Sequence, residues 1–491
     1  DVETFYAWFA QTPRTVTGFS QGINQSIAGT DKGNAIINSH LATGRVGKPG
    51  AGPFSLTGQP NAMGGREVGG LANQLAAHMD YHTPGARELV SRFWTTQHLT
   101  HVLPDAPGYK AVELFDAIER GEISALWVMA TNPAVSMPDG EKVRRALAKC
   151  PLVIVSECVA NTDLLPFADI VLPASGWSEK DGTVTNSERR ISRQRGMLPP
   201  PGEAKHDWWI LCEVAKRLGW GEAFDYTQPW EIFDEHARLS GHENNGDTQR
   251  LFDISGLAGL GQSAYDALAP IQWPVTQQAP RGTARLFEDG RFATPNGRAK
   301  LLPITPRPPA QPLSYDYPLR LNTGRIRDQW HTMTRTARAP RLMNHRAEPF
   351  IELHPEDAAQ AGLTDQSLAK LTAAAGEYRG RVRVSNAQRR GEVFVPSSGW
   401  TGGLSQAEKR GAADNVQACT VEQVVQTGRG LLEIRSPLRL PVGVRQRCCT
   451  DFQCRTAHRP GTEAGGKNSG QRRIAHGKAE PQTGQTVKFA E

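Results

Sequence analysis

Three loops carry residue types suited to holding a nucleotide. They are Ala130-Thr-Asn-Pro133, Ser156-Glu-Cys158 with Thr162-Asp163, and the run from Ala174 to Arg190. A carboxylate such as Asp163 can accept two hydrogen bonds from a guanine edge, and Asn132 and Ser156 can bond phosphate or ribose. Each residue alone reads more readily as a cap or turn former. Together they point to a nucleotide. A fourth stretch, Ser55 to Gly70 (SLTGQPNAMGGREVGG), has five glycines and one Arg beside one Glu. So bare a backbone suits close approach by something bulky.

The elements needed to position these loops follow from periodicity. Apolar runs at Ile123–Met129, Leu152–Val155 and Ile170–Leu172 alternate with a helical pattern at Gly140–Lys149. That is the signature of a parallel sheet covered on both faces, so residues 110–240 are expected to form a doubly wound α/β domain, with ligands at the carboxyl ends of its strands. Residues 1–109 combine the Gly-rich loop with an expected helix at Lys32–Thr43, and 241–318 are rich in Pro, Gly and polar residues with no sustained period. The latter reads as an irregular connector on the surface.

Beyond it, period-two segments at Leu319–Thr323, Phe350–Leu353, Leu368–Leu371, Arg381–Val384 and Glu392–Val395 predict a small β-barrel over 319–415. Residues 416–491 read as a basic, disordered tail, clearest at 461–488.

Composition excludes several classes. The 491 residues are 38% hydrophobic without a run of eighteen apolar residues, so a membrane span is not expected. The formal charge of +6 lies in 431–491, which holds 11 basic against 5 acidic residues, so the body is neutral and no nucleic-acid partner is expected. Seven cysteines, with Cys150, Cys158 and Cys212 scattered singly, make no disulfide framework and suggest a reducing compartment. Asp1-Val-Glu-Thr-Phe has neither an initiator Met nor a signal-peptide pattern, and reads as a start inside a protein.

The segments ATNPAVSMPD, LPASGWSEKDGTVTNSERRISRQRG and LNTGRIRDQWHTMTRT resemble the molybdopterin dinucleotide-binding segments of the dimethyl sulfoxide reductase superfamily of molybdenum enzymes. The run from Gly22 to Gly70 is similar to its assimilatory nitrate reductase branch, and the likeness covers about residues 1 to 415 in order. It implies an α/β class fold in which 1–109 belong to a further α/β domain, and a cytoplasmic oxidoreductase that reduces nitrate to nitrite by oxygen-atom abstraction. The implied cofactor is bis-molybdopterin guanine dinucleotide with molybdenum. A 4Fe-4S cluster is implied in the complete subunit, but its cysteine ligands are absent from this chain, which is therefore expected to be inactive alone. A ferredoxin, a flavodoxin or an NADH-dependent reductase subunit is the implied electron donor.

The resemblance also assigns residues. Arg66 would offer the flat nitrate anion its planar fork of donors. Gln59 would donate to a substrate oxygen, and Met63 would form a water-excluding wall. Each has a plainer reading: Arg66 paired with Glu67, Met63 in the core, Gln59 capping a turn. Cofactor contacts are expected from Asn132, Ser156, Glu157, Asp163, Lys180, Thr183 and Asn186, and from Thr323, Gly324, Arg325, Gln329, Trp330 and His331 of the barrel. No residue is expected to ligate a metal. Gly58-Gln-Pro-Asn61 departs from the Gly-Gln-Asn-Asn of the related molybdenum formate dehydrogenases, the nearest alternative; a non-catalytic cofactor-binding fragment is the other. Gly399-Trp-Thr-Gly402 departs from the His-Trp-Thr-Gly of the family, and Cys448, Cys449, Cys454 and His458 match no standard metal spacing.

Overall fold

A computed structural model describes residues 1–95, 103–246, 249–309, 311–330, 333, 335–346, 348–373, 376–396, 416–427, 430–434 and 488–490. Near the N-terminus a helix at Gly29–Ala42 connects two parallel strands, β1 (Val16–Phe19) and β2 (Gly52–Ser55). The short antiparallel pair β3 (Gln74–Leu75) and β4 (Met79–Asp80) follows the Gly-rich loop.

The expected α/β sheet is present. Strands β5 (Ala125–Met129), β6 (Leu152–Glu157) and β7 (Ile170–Pro173) run parallel, with Val128 opposite Val155 and Val155 opposite Val171. Helices Ala111–Glu119 and Gly140–Lys149 bury Leu114, Phe115, Ile118, Val143 and Leu147 against Val153 and Val155 on one face. The helix Asp207–Ala215 covers the other face through Ile210 against Trp127 and Ala174. The sheet is therefore doubly wound, and its strands are apolar on both sides as that requires.

Next comes an antiparallel sheet of β8 (Gly182–Thr185), β9 (Arg190–Gln194) and β10 (Ile271–Gln272). Its core joins distant parts of the chain: Leu75, Val90 and Phe93 from the N-terminal segment, Ile191 from β9, Phe233, and Phe252, Ile254, Tyr265, Trp273 and Val275. This corrects the reading of 241–318 as a surface connector. Phe252 and Val275 are fully buried. Their apolar side chains are separated by turns rather than by a helix or strand period, so periodicity gives no sign of them.

The barrel is closed. Strands β11 (Leu319–Gly324), β12 (Phe350–Leu353), β13 (Leu368–Ala373), β14 (Gly376–Val384), β15 (Glu392–Pro396) and β16 (Val416–Thr427) pair in the order β11-β15-β12-β14-β13-β16, and β16 pairs back onto β11. Leu321, Ile351, Leu353, Leu371, Tyr378, Val382, Val393, Val395 and Val421 fill it. The closing strand lies wholly beyond 415, so the expected boundary there is wrong. Cys419 and Val421 alternate inward while Leu319 sits opposite Cys419, leaving no open edge between β11 and β13.

Two further strands lie in the stretch read as tail. β17 (Gly430–Ile434) forms a hairpin with β16, and β18 (Lys488–Ala490) pairs parallel with β5. The expected disorder over 461–488 otherwise falls outside the described residues, as do Gly399–Gly402, Cys448, Cys449, Cys454 and His458. No described helix is long and apolar enough to cross a membrane.

Candidate cofactor and anion site

The Gly-rich loop leads into a six-residue helix, Ala62–Glu67, that carries Met63 and Arg66. So short a helix has no independent stability and must be held from outside. Three hydrogen bonds fasten it and its approach to the end of β8. Thr57 N donates to Ser187 Oγ at 3.2 Å, Thr185 N donates to Asn61 Oδ1 at 2.9 Å, and Thr185 Oγ1 donates to Glu67 Oε2 at 2.8 Å. Gly64 is required for this fit: a Cβ there would lie 2.0 Å from Asn61 Oδ1.

Glu67 is 4% exposed and also accepts from Trp273 Nε1 at 2.7 Å. Burial pushes its carboxyl up to about 7, against the opposing effect of the Thr185 and Trp273 hydrogen bonds. Adjacent residues on a helix diverge by about 100°, so Arg66 points away from this interior. It is exposed and makes no hydrogen bond or ion pair with a described residue. The plainer reading of an Arg66–Glu67 pair is thus replaced by an inward carboxylate and an outward guanidinium. Packing among Phe252 and Trp273, and then the Arg66 charge, lower the His78 imidazole below its usual range. Met63 packs on the edge of the cluster holding Trp273, and Gln59 is exposed.

The barrel reaches this loop directly. Thr323 and Gly324 end β11, and Arg325 then lays its guanidinium over the Trp330 ring at 4.2 Å. The same ring closes on Gly58, where a Cβ would stand 3.2 Å from Trp330 Cη2. Gln329, 1% exposed, braces the segment from inside by accepting from Thr336 Oγ1 at 2.7 Å and donating to Leu342 O at 3.3 Å. Arg335 Nη2 lies 3.7 Å from the Cys158 sulfur, just past the end of β6. One segment of the barrel therefore touches both the Gly-rich loop and the strand ends of the α/β sheet. His331 lies outside the described residues.

At those strand ends Asn132 is 6% exposed and donates to Asp163 Oδ2 at 3.4 Å, while its Oδ1 is buried without a partner among the described residues. Thr162 Oγ1 is buried and likewise unsatisfied. Leaving such groups unpaired costs about 1–3 kcal/mol each. Ala130, the first residue past β5, holds a left-handed φ of +57°, a conformation that strains a residue with a Cβ. Unsatisfied polar atoms and local strain at these strand ends fit a site made to receive a polar ligand.

Several expected contacts serve the protein itself. Ser156 is 1% exposed and its hydroxyl accepts from Trp127 Nε1 at 2.9 Å inside the sheet. Glu157 Oε1 accepts from the Cys158 and Val159 amides and caps the turn after β6. Lys180 pairs with Asp207 at the start of a helix. Asn186 Oδ1 accepts from the Glu188 and Arg190 amides and forms the β8–β9 turn. Thr183 is half-buried in β8. Among the described residues no cluster of His, Cys, Asp and Glu could hold a metal ion.

The sequence reading missed Asn61, Thr185 and Trp273 as supports and Arg335 beside Cys158. Asn61 and Thr185 lie inside the motifs that were singled out, but only the fold reveals that they bond each other.

Residues 5–217 match the family model described as molybdopterin oxidoreductase, and residues 319–427 match the molydopterin dinucleotide binding domain. The chain belongs to the molybdopterin oxidoreductases. It is 50% identical over 421 residues to a nitrate reductase of Klebsiella oxytoca, covering 86% of this chain and 47% of that one. The assimilatory nitrate reductase catalytic subunit of Bacillus subtilis is 33% identical over 398 residues, covering 81% of this chain and 54% of that one. The F420-dependent formate dehydrogenase subunit alpha of Methanocaldococcus jannaschii is 34% identical over 379 residues, covering 77% and 52%. This molybdopterin oxidoreductase chain spans about half the length of these relatives.

Proposed function

We propose that this chain is the cofactor- and anion-holding portion of a molybdenum nitrate reductase of the cytoplasm, working with bis-molybdopterin guanine dinucleotide. Within the complete protein it would be served by a 4Fe-4S cluster and by a ferredoxin, flavodoxin or NADH-dependent donor. The observation that carries this reading is Arg66: an exposed guanidinium without a partner among the described residues, on a helix fixed beside the loop that meets the barrel.

When bound, the molybdenum–pterin group supplies the oxygen-atom and two-electron chemistry. The chain's own residues bind and orient. Arg66 presents a planar fork that matches the flat nitrate anion and holds its charge. Gln59, exposed on the adjoining loop, has amide donors available to a substrate oxygen, and Met63 adds an apolar wall beside it.

For the dinucleotide, Asp163 accepts from the guanine edge while Asn132 Oδ1 and Thr162 Oγ1 gain the partners they lack. Thr183 of β8, with Thr323, Gly324 and the Arg325–Trp330 stack, would add contacts to it. Ser156, Glu157, Lys180, Asn186 and Gln329 act one step back, fixing the loops that make contact.

The deciding experiment uses the complete protein containing this chain, assayed with a reduced dye and nitrate and, separately, with formate and an oxidised dye. Nitrate turnover without formate turnover is expected. Formate turnover exceeding nitrate turnover overturns the assignment.

A further inference from the structure

The short helix with Arg66 is built in a way that local propensity does not favour. Asn61 occupies its N-cap position, where a side-chain oxygen ordinarily accepts from the helix's own first amides, yet no such cap bond is made. Its Oδ1 reaches instead to Thr185 N at 2.9 Å. At the other end Glu67 places a carboxylate on the last helical residue, where the helix dipole disfavours negative charge, and buries it to 4% exposure. That carboxylate also finds Thr185, through Oγ1 at 2.8 Å. Both ends of the helix are thus directed to one residue by features that each weaken the helix as an isolated element.

Thr185 is the last residue of β8, next to Asn186 and two residues after Thr183. Its backbone and its side chain hold opposite ends of the Arg66 helix, while Trp273 Nε1 fixes the second oxygen of Glu67. A shift or ordering of β8 therefore moves the helix as a unit. We propose that Thr185 is a positioning residue that couples ligand occupancy along β8 to the ordering of the Arg66 helix, so that seating the dinucleotide further suppresses opening of a helix already tethered through Thr185. This rests on the proposed cofactor reading of β8. It assigns Thr185 no contact with substrate or cofactor.

The test is hydrogen–deuterium exchange of the 491-residue chain with and without added molybdopterin guanine dinucleotide, followed in peptides covering 180–190 and 58–70. In the wild-type chain the cofactor is expected to slow exchange in both regions, by about fivefold or more at 62–67, because local opening there is suppressed. In Thr185→Val, which lacks the hydroxyl but keeps the amide, slowing is expected at 180–190 with less than half the effect at 62–67. Thr185→Ser, which restores the hydroxyl, should recover the wild-type response. Asn61→Ala cuts the other tether at a half-buried loop position and should reduce transmission in the same way, so the test does not depend on one variant's stability.

Slowing at 180–190 that reaches 62–67 undiminished in both Thr185→Val and Asn61→Ala overturns the coupling while leaving the cofactor reading intact. Slowing in neither region of the wild-type chain overturns the cofactor reading and the coupling together.

Discussion

Trp273 Nε1 donates to Glu67 Oε1 at 2.7 Å, joining a segment that periodicity reads as connector to the helix that carries the candidate anion ligand. Thr185 holds the other carboxylate oxygen, so Glu67 sits among neutral donors with no cation bonded to it among the described residues. Burial pushes its carboxyl up from the usual 4.5 to about 7, with the Thr185 and Trp273 hydrogen bonds pulling the other way.

The sign of the consequence is fixed. Between pH 4.5 and about 7 the folded chain keeps a proton on Glu67 that the unfolded chain has released. Raising pH through that window therefore removes stability, by at most about 3 kcal/mol. Glu67→Gln imitates the protonated form, since Thr185 Oγ1 can accept from the amide while the amide oxygen still accepts from Trp273. The variant should match wild type near pH 4.5 and become progressively more stable than wild type up to pH 7.5.

His236, pushed down to about 4 by burial, acts in the opposite direction, adding stability as pH rises from about 4 to 6.5. That rise should stand out in Glu67→Gln and be masked in wild type. Denaturant unfolding at pH 4.5, 6 and 7.5 measures this. A constant offset between the two proteins at all three values would show that Glu67 is ionised throughout.

Asp163→Ala tests the strand-end site. The substitution removes the acceptor proposed for the guanine edge and also strips Asn132 Nδ2 of its partner. Loss of a hydrogen bond to a charged group costs about 1.5–3 kcal/mol, or roughly 10- to 150-fold in cofactor affinity. Cofactor content measured after gel filtration should fall. Unchanged content would make Asp163 a turn residue only.

The fold was legible where one element repeats a simple period. Val153 and Val155 in β6 and the inward residues of β12 to β15 announce themselves by apolar runs or alternation. Phe252 and Trp273 could not, because each shares a core cluster with Leu75 and Val90 across well over a hundred residues and lies in irregular chain. The site shows the same limit. Residue types identified Asp163 and Asn132, which the fold brings into hydrogen-bond contact, and Arg66, which it leaves exposed. They could not separate these from Ser156 and Lys180, whose polar groups look equally available in the sequence but are already engaged by Trp127 and Asp207. Availability is a property of neighbours, which only the folded chain supplies.

Arg66→Ala in the complete protein should raise the nitrate KM or lower kcat by about tenfold or more, the scale of losing a charged hydrogen-bonding partner. Molybdenum and pterin content should stay near wild type, because the Arg66 side chain bonds no described residue that the cofactor loops depend on. Arg66→Lys should recover only part of the loss, since an ammonium keeps the charge without the planar fork. Normal nitrate kinetics in Arg66→Ala would remove this residue from the site.

The closure of the barrel yields the last expectation. Strand β16 pairs with β11 along Leu319–Asn322 and with β13 along Leu368–Ala373, so it covers two edges at once. Its Cys419 is fully buried, and burial drives that thiol strongly toward the neutral form. Ending the chain at residue 415, where the sequence pattern suggests a boundary, would expose both edges and uncover the interior at Leu319, Leu321 and Leu371. Exposed edges of this kind recruit other chains. A chain ending at Ile434 retains β16 and its hairpin partner β17; both shortened chains lose β18 from the edge of β5 alike, so the difference between them reports β16, and the chain ending at Ile434 should keep the barrel transition. The chain ending at residue 415 should aggregate or lose the barrel transition. Size-exclusion chromatography and calorimetry of the two proteins decide the matter, and equal behaviour would mean that a five-stranded open barrel is stable and that β16 is dispensable.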